Sequence, residues 1–119
     1  MLLLKIKLNK ELMSIEKTIL SNLMYNETYM RKVFPFLKEE YFAEHSTKTV
    51  YRHISTFINK YNDLPSKDAL KIAFHNDKDI PEDNFTEVMG IVNEFEKEDI
   101  NLEWALDETE KYCKDRAVY

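Results

Sequence analysis

Residues 46–66, STKTVYRHISTFINKYNDLPS, carry the clearest structural signal in the chain. Apolar side chains recur there three to four residues apart, which places them on one face of an α-helix. This stripe consists of Val50, Ile54, Phe57, Ile58 and Tyr61. The segment therefore predicts an amphipathic helix that is capped by Ser46 or Thr47, ends before NDLPS and packs one face against a core.

The same periodicity predicts helices along nearly the whole chain. The expected helices are one from about Leu12 to Tyr25, a short second one ended by Pro35, a fourth capped by Ser66, a fifth from Pro81 and a sixth from near Asn101. Between the second and third we expect a connector with one helical turn around 39–42. Its apolar side chains Phe36, Leu37, Tyr41 and Phe42 are expected to fill the core. The predicted fold is all-α, a compact bundle of about six short helices.

Composition agrees with a single folded domain. The chain has 119 residues, of which 44% are hydrophobic and 33% are charged, and it contains one Gly and three Pro. So few turn formers argue against both disorder and a turn-rich β fold. Cys113 is the only cysteine, so no intramolecular disulfide can form, and its place on an apolar stripe predicts a buried, inert thiol.

The amino terminus, MLLLKIKL, is the most apolar end of the chain. Lys5 and Lys7 interrupt it, and it is too short for a membrane helix and lacks a signal-peptide cleavage site. Its partial alternation would suit a strand, but it could equally be a lead-in to the first helix. These features predict a cytoplasmic protein without membrane contact.

Charge is unevenly distributed. The net charge is −5, yet residues 94–110 carry eight acids against Lys97 alone, a local charge of −7. A surface this acidic repels phosphate, so strong nucleic-acid binding by this domain is not expected. No helix clusters Arg and Lys as a DNA-binding regulator requires. The acidic segment is either a solvated helix face or a docking surface for a basic partner.

The sequence offers no pattern typical of a reaction centre. One glycine cannot form a phosphate-cradling loop, and His45, His53 and His75 have no second ligand at helical spacing. Adjacent acids project in different directions on a helix, so we do not expect them to form a catalytic carboxylate pair. We therefore predict no catalytic, cofactor-binding or metal-binding residues.

The last predicted helix contains the candidate interface residues. One face carries the stripe Leu102, Ala105, Leu106, Thr109, Tyr112 and Cys113, and no Gly, Asn or Pro stops the helix before the chain ends. Trp104 points nearly opposite that stripe, and packing against a neighbouring element is preferred over contact with a partner. Beyond Tyr112, apolar side chains lose their expected cover. The predicted interface residues are Trp104, Tyr112, Val118 and Tyr119.

Several short motifs occur in a family-specific order. They are E-x-x-I-L-x-x-L (Glu16, Ile19, Leu20, Leu23), E-Y-F (Glu40, Tyr41, Phe42), L-P-S (Leu64, Pro65, Ser66) and E-K-Y-x-x-x-R-A (Glu110, Lys111, Tyr112, Arg116, Ala117). With this order and spacing, residues 13–119 resemble the amino-terminal domain of DnaB-like replicative DNA helicases, above all the T-even type of phage helicase. Residues 1–12 have no counterpart in the resemblance.

The resemblance implies a larger assembly. Such helicases continue from this last helix into a helical hairpin, a linker and a RecA-like ATPase domain, and they unwind DNA 5′ to 3′ as hexamers that use ATP and Mg²⁺. Their amino-terminal domains form a collar that supports ring assembly and contacts primase or helicase loader. The implied division is an extension over 1–12, a helical globule over 13–99 and the start of a truncated hairpin over 100–119.

For this chain alone, the resemblance implies a monomer or weak dimer without cofactors, in the cytoplasm of an infected bacterial host. Single-stranded DNA would be bound only by the ATPase domain, which this sequence lacks. The alternative is a stand-alone acidic helical phage protein that binds a host or replication factor.

Overall fold

The computed structural model describes the backbone of residues 2–117 and the side-chain surroundings of residues 14–117. Six helices follow one another: α1 (Leu2–Tyr25), α2 (Glu27–Val33), α3 (His45–Tyr61), α4 (Lys67–Asn76), α5 (Glu82–Glu94) and α6 (Leu102–Ala117). Two 3₁₀ turns, Phe34–Phe36 and Glu39–Tyr41, connect α2 to α3. No strand occurs between residues 2 and 117, so the predicted all-α bundle of about six helices is confirmed.

Side-chain caps explain where three helices begin. The amide oxygen of Asn26 accepts a hydrogen bond from the Tyr29 backbone N–H at 3.0 Å, which starts α2 after a one-residue break. The hydroxyl of Ser66 accepts from the Ala69 N–H at 3.1 Å, as predicted for α4. The side chain of Asn101 caps α6 in the same way. Each cap satisfies an amide that has no partner within its helix.

The predicted cap of α3 is wrong. Glu44 occupies the cap position without a side-chain cap bond, and α3 begins at His45. Ser46 and Thr47 lie buried within the first turn, where their hydroxyls bond to carboxylates of other helices instead. At its other end α3 stops at Asn62, whose left-handed φ of 54° cannot continue a helix.

The core takes side chains from all six helices and the connector. Its largest fully buried members are Tyr29, Phe42, Phe74, Ile19, Leu20, Leu23, Met30, Ile54 and Leu70. The last residue of the apolar stripe on α3, Tyr61, is 58% exposed. In the connector, Leu37, Tyr41 and Phe42 are buried as expected, but Phe36 is 72% exposed. That expectation fails because the tight turn holding Phe36 brings the next residue, Leu37, into the core and leaves Phe36 outside.

The first helix is longer than its periodicity predicted. It begins at Leu2 instead of near Leu12, so the amino-terminal segment is a helical lead-in and not a strand. The separation of an extension over 1–12 from the globule stays a prediction. None of the helices between residues 2 and 117 combines the length and apolar character needed to cross a bilayer.

Candidate interaction surface

Two motifs from distant parts of the sequence meet at one backbone oxygen. The carbonyl of Tyr41, in the second 3₁₀ turn, accepts a hydrogen bond from the Tyr112 hydroxyl and another from Nε of Arg116, the latter at 2.9 Å. Both donors lie on α6, one turn apart. The carbonyl therefore fixes the carboxyl-terminal half of α6 against the connector.

A buried carboxylate lies beside this junction. Glu16 on α1 is fully inaccessible to solvent, and its carboxylate accepts hydrogen bonds from the Thr47 hydroxyl at 2.7 Å and the Ala43 N–H at 3.1 Å. Burial raises the pKa of the Glu16 carboxyl, while these hydrogen bonds and the positive charge of Arg116 oppose the rise. The carboxylate thus joins α1 to the start of α3.

A second buried hydrogen bond connects α6 to α2. The hydroxyls of Tyr29 and Thr109 lie 2.6 Å apart, and that of Thr109 is also 2.7 Å from the Ala105 carbonyl on its own helix. Both side chains are almost completely buried. Together with the Tyr41 junction, this contact holds α6 at a fixed distance from α2.

An open groove remains between the same elements on the outside of the molecule. We call it the α2–α6 groove, and its volume is about 540 Å³. Its lining residues are Lys32, Val33, Phe36 and Tyr41 on one side and Leu106, Thr109, Glu110, Cys113, Lys114 and Ala117 on the other. The lining is mostly apolar, with charged side chains at the rim, as is typical of surfaces that receive another molecule.

Cys113 lies in this groove. Its side chain is half-buried, so the predicted burial of the thiol is only partial. Burial raises the pKa of the Cys113 thiol, which lowers its reactivity at neutral pH. Because it lines an open groove, the thiol can report whether that groove is covered.

The four predicted interface residues have different surroundings. Trp104 is 50% exposed, so neighbouring elements cover only half of the side chain. Tyr112 is only 6% exposed, and its hydroxyl is engaged by Tyr41, which places it in the core. Val118 and Tyr119 lie outside the described residues. A partner contact by any of the four stays a prediction.

The acidic segment forms the surface on another side of the molecule. Its exposed acids are Glu94, Glu96, Glu98, Asp99, Glu103, Asp107 and Glu110. Lys17 of α1 lies 3.6 Å from Glu94, an exposed pair that offsets little of the local charge. This is the arrangement of a solvated face, and docking of a basic partner there stays untested.

One pair of titratable side chains, His53 and Asp77, links two helices. Nε2 of His53 lies 2.9 Å from a carboxylate oxygen of Asp77, which joins α3 to the end of α4. A hydrogen bond from the Asp79 N–H and the contact with His53 hold the pKa of the Asp77 carboxyl below its usual value. Within the described residues, no three His, Cys, Asp or Glu side chains converge as a metal site requires.

Sequence reasoning missed Glu16 and the groove for different reasons. The spacing of Glu16 to Ile19, Leu20 and Leu23 was the available signal, because it places the carboxylate on the buried face of α1. The groove depends on Phe36 and Leu106 approaching from segments far apart in the chain. No local pattern contains that information.

Comparison with known proteins agrees with the motifs. The sequence model of the family described as "DnaB-like helicase N terminal domain" matches residues 8–95. The "DnaB-like replicative helicase" of Enterobacteria phage T4 is 31% identical over 101 residues, which cover 85% of this chain and 21% of that protein. The chain thus spans about a fifth of that relative's length. On this match and its all-α fold, the chain belongs to the family of DnaB-like helicase N-terminal domains.

Proposed function

We propose that this chain is the collar domain of a hexameric phage replicative helicase, in which it supports ring assembly and offers a docking surface to primase or helicase loader. The observation that carries the proposal is the family match, combined with coverage of only a fifth of the phage T4 helicase. In the full-length protein a separate motor domain would bind ATP and Mg²⁺ and unwind DNA 5′ to 3′ in the cytoplasm of the infected host.

The structure supports a positioning role for α6. Its inner face is fixed by the hydrogen bonds that Thr109, Tyr112 and Arg116 make with other elements, while its outer face remains exposed. A helix held in this way can carry a following segment at a defined angle to the globule. The contribution of the domain would be geometric, since it would set how neighbouring motors are placed.

A capture experiment tests the docking role. The chain is immobilised and exposed to the primase, and separately to the loader, encoded with the same replication system. We expect one of these proteins to be retained at micromolar concentration, and a matched bait of similar size and acidity to retain neither. Retention of neither protein by this chain would contradict the docking role.

Activity and assembly provide two further tests. The chain alone is expected neither to hydrolyse ATP nor to bind single-stranded DNA tightly, and to be a monomer or weak dimer in light scattering. ATPase activity above the buffer background in a clean preparation would contradict the assignment of ATP hydrolysis to the separate motor domain. A stable hexamer at micromolar concentration would contradict the expected monomer or weak dimer.

The second candidate is a stand-alone acidic protein that binds a host or replication factor. The exposed acidic segment, with a charge of −7 over residues 94–110, favours this reading. Reading the gene beyond the codon for Tyr119 separates the two candidates. A frame that runs into a Walker A motif supports the helicase, whereas an immediate stop codon supports the stand-alone protein.

A further inference from the structure

We propose that the α2–α6 groove binds an amphipathic helix of a partner protein whose apolar face is flanked by acidic side chains. The proposal deepens the docking role proposed above and rests on it, because it assigns that role to one surface and one peptide chemistry. It follows from the shape of the groove, the rigidity of its walls and the charge at its rim.

The shape fits a helix lying parallel to α6. Along that helix the groove follows Leu106, Glu110, Cys113 and Ala117, which recur at helical spacing. This stretch is about 16 Å long at 1.5 Å per residue, or three turns of a bound helix. Small side chains at Cys113 and Ala117 let a backbone approach closely, while Phe36 stands as an exposed wall opposite them.

The walls are held in place without an occupant. Buried hydrogen bonds join Tyr29 to Thr109 and Tyr41 to both Tyr112 and Arg116, so each wall is bonded to the other beneath the groove. A preformed groove binds a helix at a smaller entropic cost than one that must open. An accidental gap between loosely packed elements would lack these bonds.

The charges at the rim of the groove determine which side chains are favoured beside the apolar face of the bound helix. Lys32 and Lys114 are exposed on opposite sides, and Glu110 is the one acid in the lining. Lys114 pairs with Glu110 at 3.0 Å, but that pair is so exposed that it is easily exchanged for another. Among the described residues Lys32 makes no ion pair. A locally positive rim on a chain of net charge −5 favours acidic flanks.

Two synthetic helical peptides test the chemistry. Both carry the same leucine stripe at helical spacing, and they differ only in Glu or Lys at the flanking positions. We expect the Glu-flanked peptide to bind at least about tenfold more tightly in fluorescence anisotropy at low salt, with the difference shrinking as salt screens the rim. Equal binding, or tighter binding of the Lys-flanked peptide, would overturn the proposal.

Reaction of Cys113 with a maleimide locates the binding. The bound Glu-flanked peptide is expected to slow the reaction at least about fivefold.

Phe36→Ala should weaken peptide binding at least about fivefold, whereas Ile72→Ala, a matched change of an exposed apolar residue outside the groove, should leave it unchanged. The double variant Lys32→Glu with Lys114→Glu should prefer the Lys-flanked peptide. An unprotected thiol, or equal effects of the two alanine variants, would overturn the proposal.

The outcome for the groove can be separated from that for the docking role. If Phe36→Ala abolishes peptide binding but leaves capture of primase and loader intact, the groove is not their docking site and this inference fails alone. If the peptide binds as described and neither protein is captured, the proposed function fails alone. A longer version of the chain in which Cys113 is already protected would show that the protein covers its own groove, which also overturns the inference.

Discussion

The Thr47 hydroxyl donates a hydrogen bond of 2.7 Å to a carboxylate oxygen of Glu16, and neither residue is accessible to solvent. The bond joins α1 to the first turn of α3, at the place where a helix cap was expected. Glu16 therefore carries an acid into the core, where its charged form is stabilised by only a few donors. Its ionisation must depend on whether the chain is folded.

Glu16→Gln should change how stability depends on pH. Because burial raises the pKa of the Glu16 carboxyl in the folded state, the folded chain holds this proton more tightly than the unfolded chain. The contribution of Glu16 to stability is then complete below its unfolded pKa, near 4.5, and falls as pH rises through the folded pKa. Relative to the Gln variant, the wild type should lose stability as pH rises from the unfolded to the folded pKa of Glu16. At higher pH the difference in stability should stay constant.

Urea unfolding at several pH values checks this difference. The pKa values of the Glu39 and Asp77 carboxyls are lowered, which acts in the opposite sense, so only the difference between wild type and variant isolates Glu16. Glu40→Gln, an exposed change in the connector, serves as the control for the loss of one carboxylate at the surface. A difference for Glu16→Gln that is flat or rises with pH would show that the Thr47 and Ala43 hydrogen bonds outweigh the effect of burial.

Replacing Asn62 by alanine should destabilise the domain more than replacing it by glycine. It ends α3 with φ of 54°, and its side-chain and backbone oxygens both accept hydrogen bonds from Arg31. The left-handed conformation costs alanine about 1–2 kcal/mol, whereas glycine adopts it freely. The glycine variant therefore loses only the hydrogen bond between Arg31 and the Asn62 side chain. Chemical denaturation should place Asn62→Gly between wild type and Asn62→Ala. An alanine variant as stable as the glycine variant would contradict the prediction.

Gly90→Ala should stabilise the domain. Gly90 lies inside α5, has an ordinary helical backbone, and a methyl group added there would meet no atom within 4 Å. Removing the backbone freedom of glycine from a helix interior is worth about 0.5–1 kcal/mol. Thermal or urea unfolding measures the gain. Gly90→Val should give a smaller gain, because its branched side chain loses rotamer freedom in a helix, so the reverse order would contradict this explanation.

The helices could be predicted because local patterns determine them. The cap at Ser66 and the stripe around Ile54 are signals contained within a few residues. Phe36 was assigned to the core because hydrophobicity alone cannot show which side of a tight turn faces outward. Thr47 was expected to cap its own helix because its actual acceptor, Glu16, lies on another one.

The candidate surface could not be predicted for a related reason. Tyr112 has the spacing of an apolar stripe, and its burial follows, but its bond to the Tyr41 carbonyl depends on how the connector folds. The motifs of the family resemblance contained both residues without indicating that they meet. A side chain such as Trp104, which shares no stripe, could be placed only after its neighbours were known.

Trp104→Ala should separate a surface role from a core role. The side chain is half exposed on the outside of α6, so its truncation should change the free energy of unfolding by no more than about 1 kcal/mol, close to the range of surface substitutions. Exposed tryptophans are common anchors of protein interfaces, and we therefore expect weaker capture of primase or loader. Tyr112→Ala, which empties a buried site, provides the contrast and should destabilise by several times more. If Trp104→Ala instead lowers stability and leaves capture unchanged, the indole belongs to the packing of the domain and not to a docking surface.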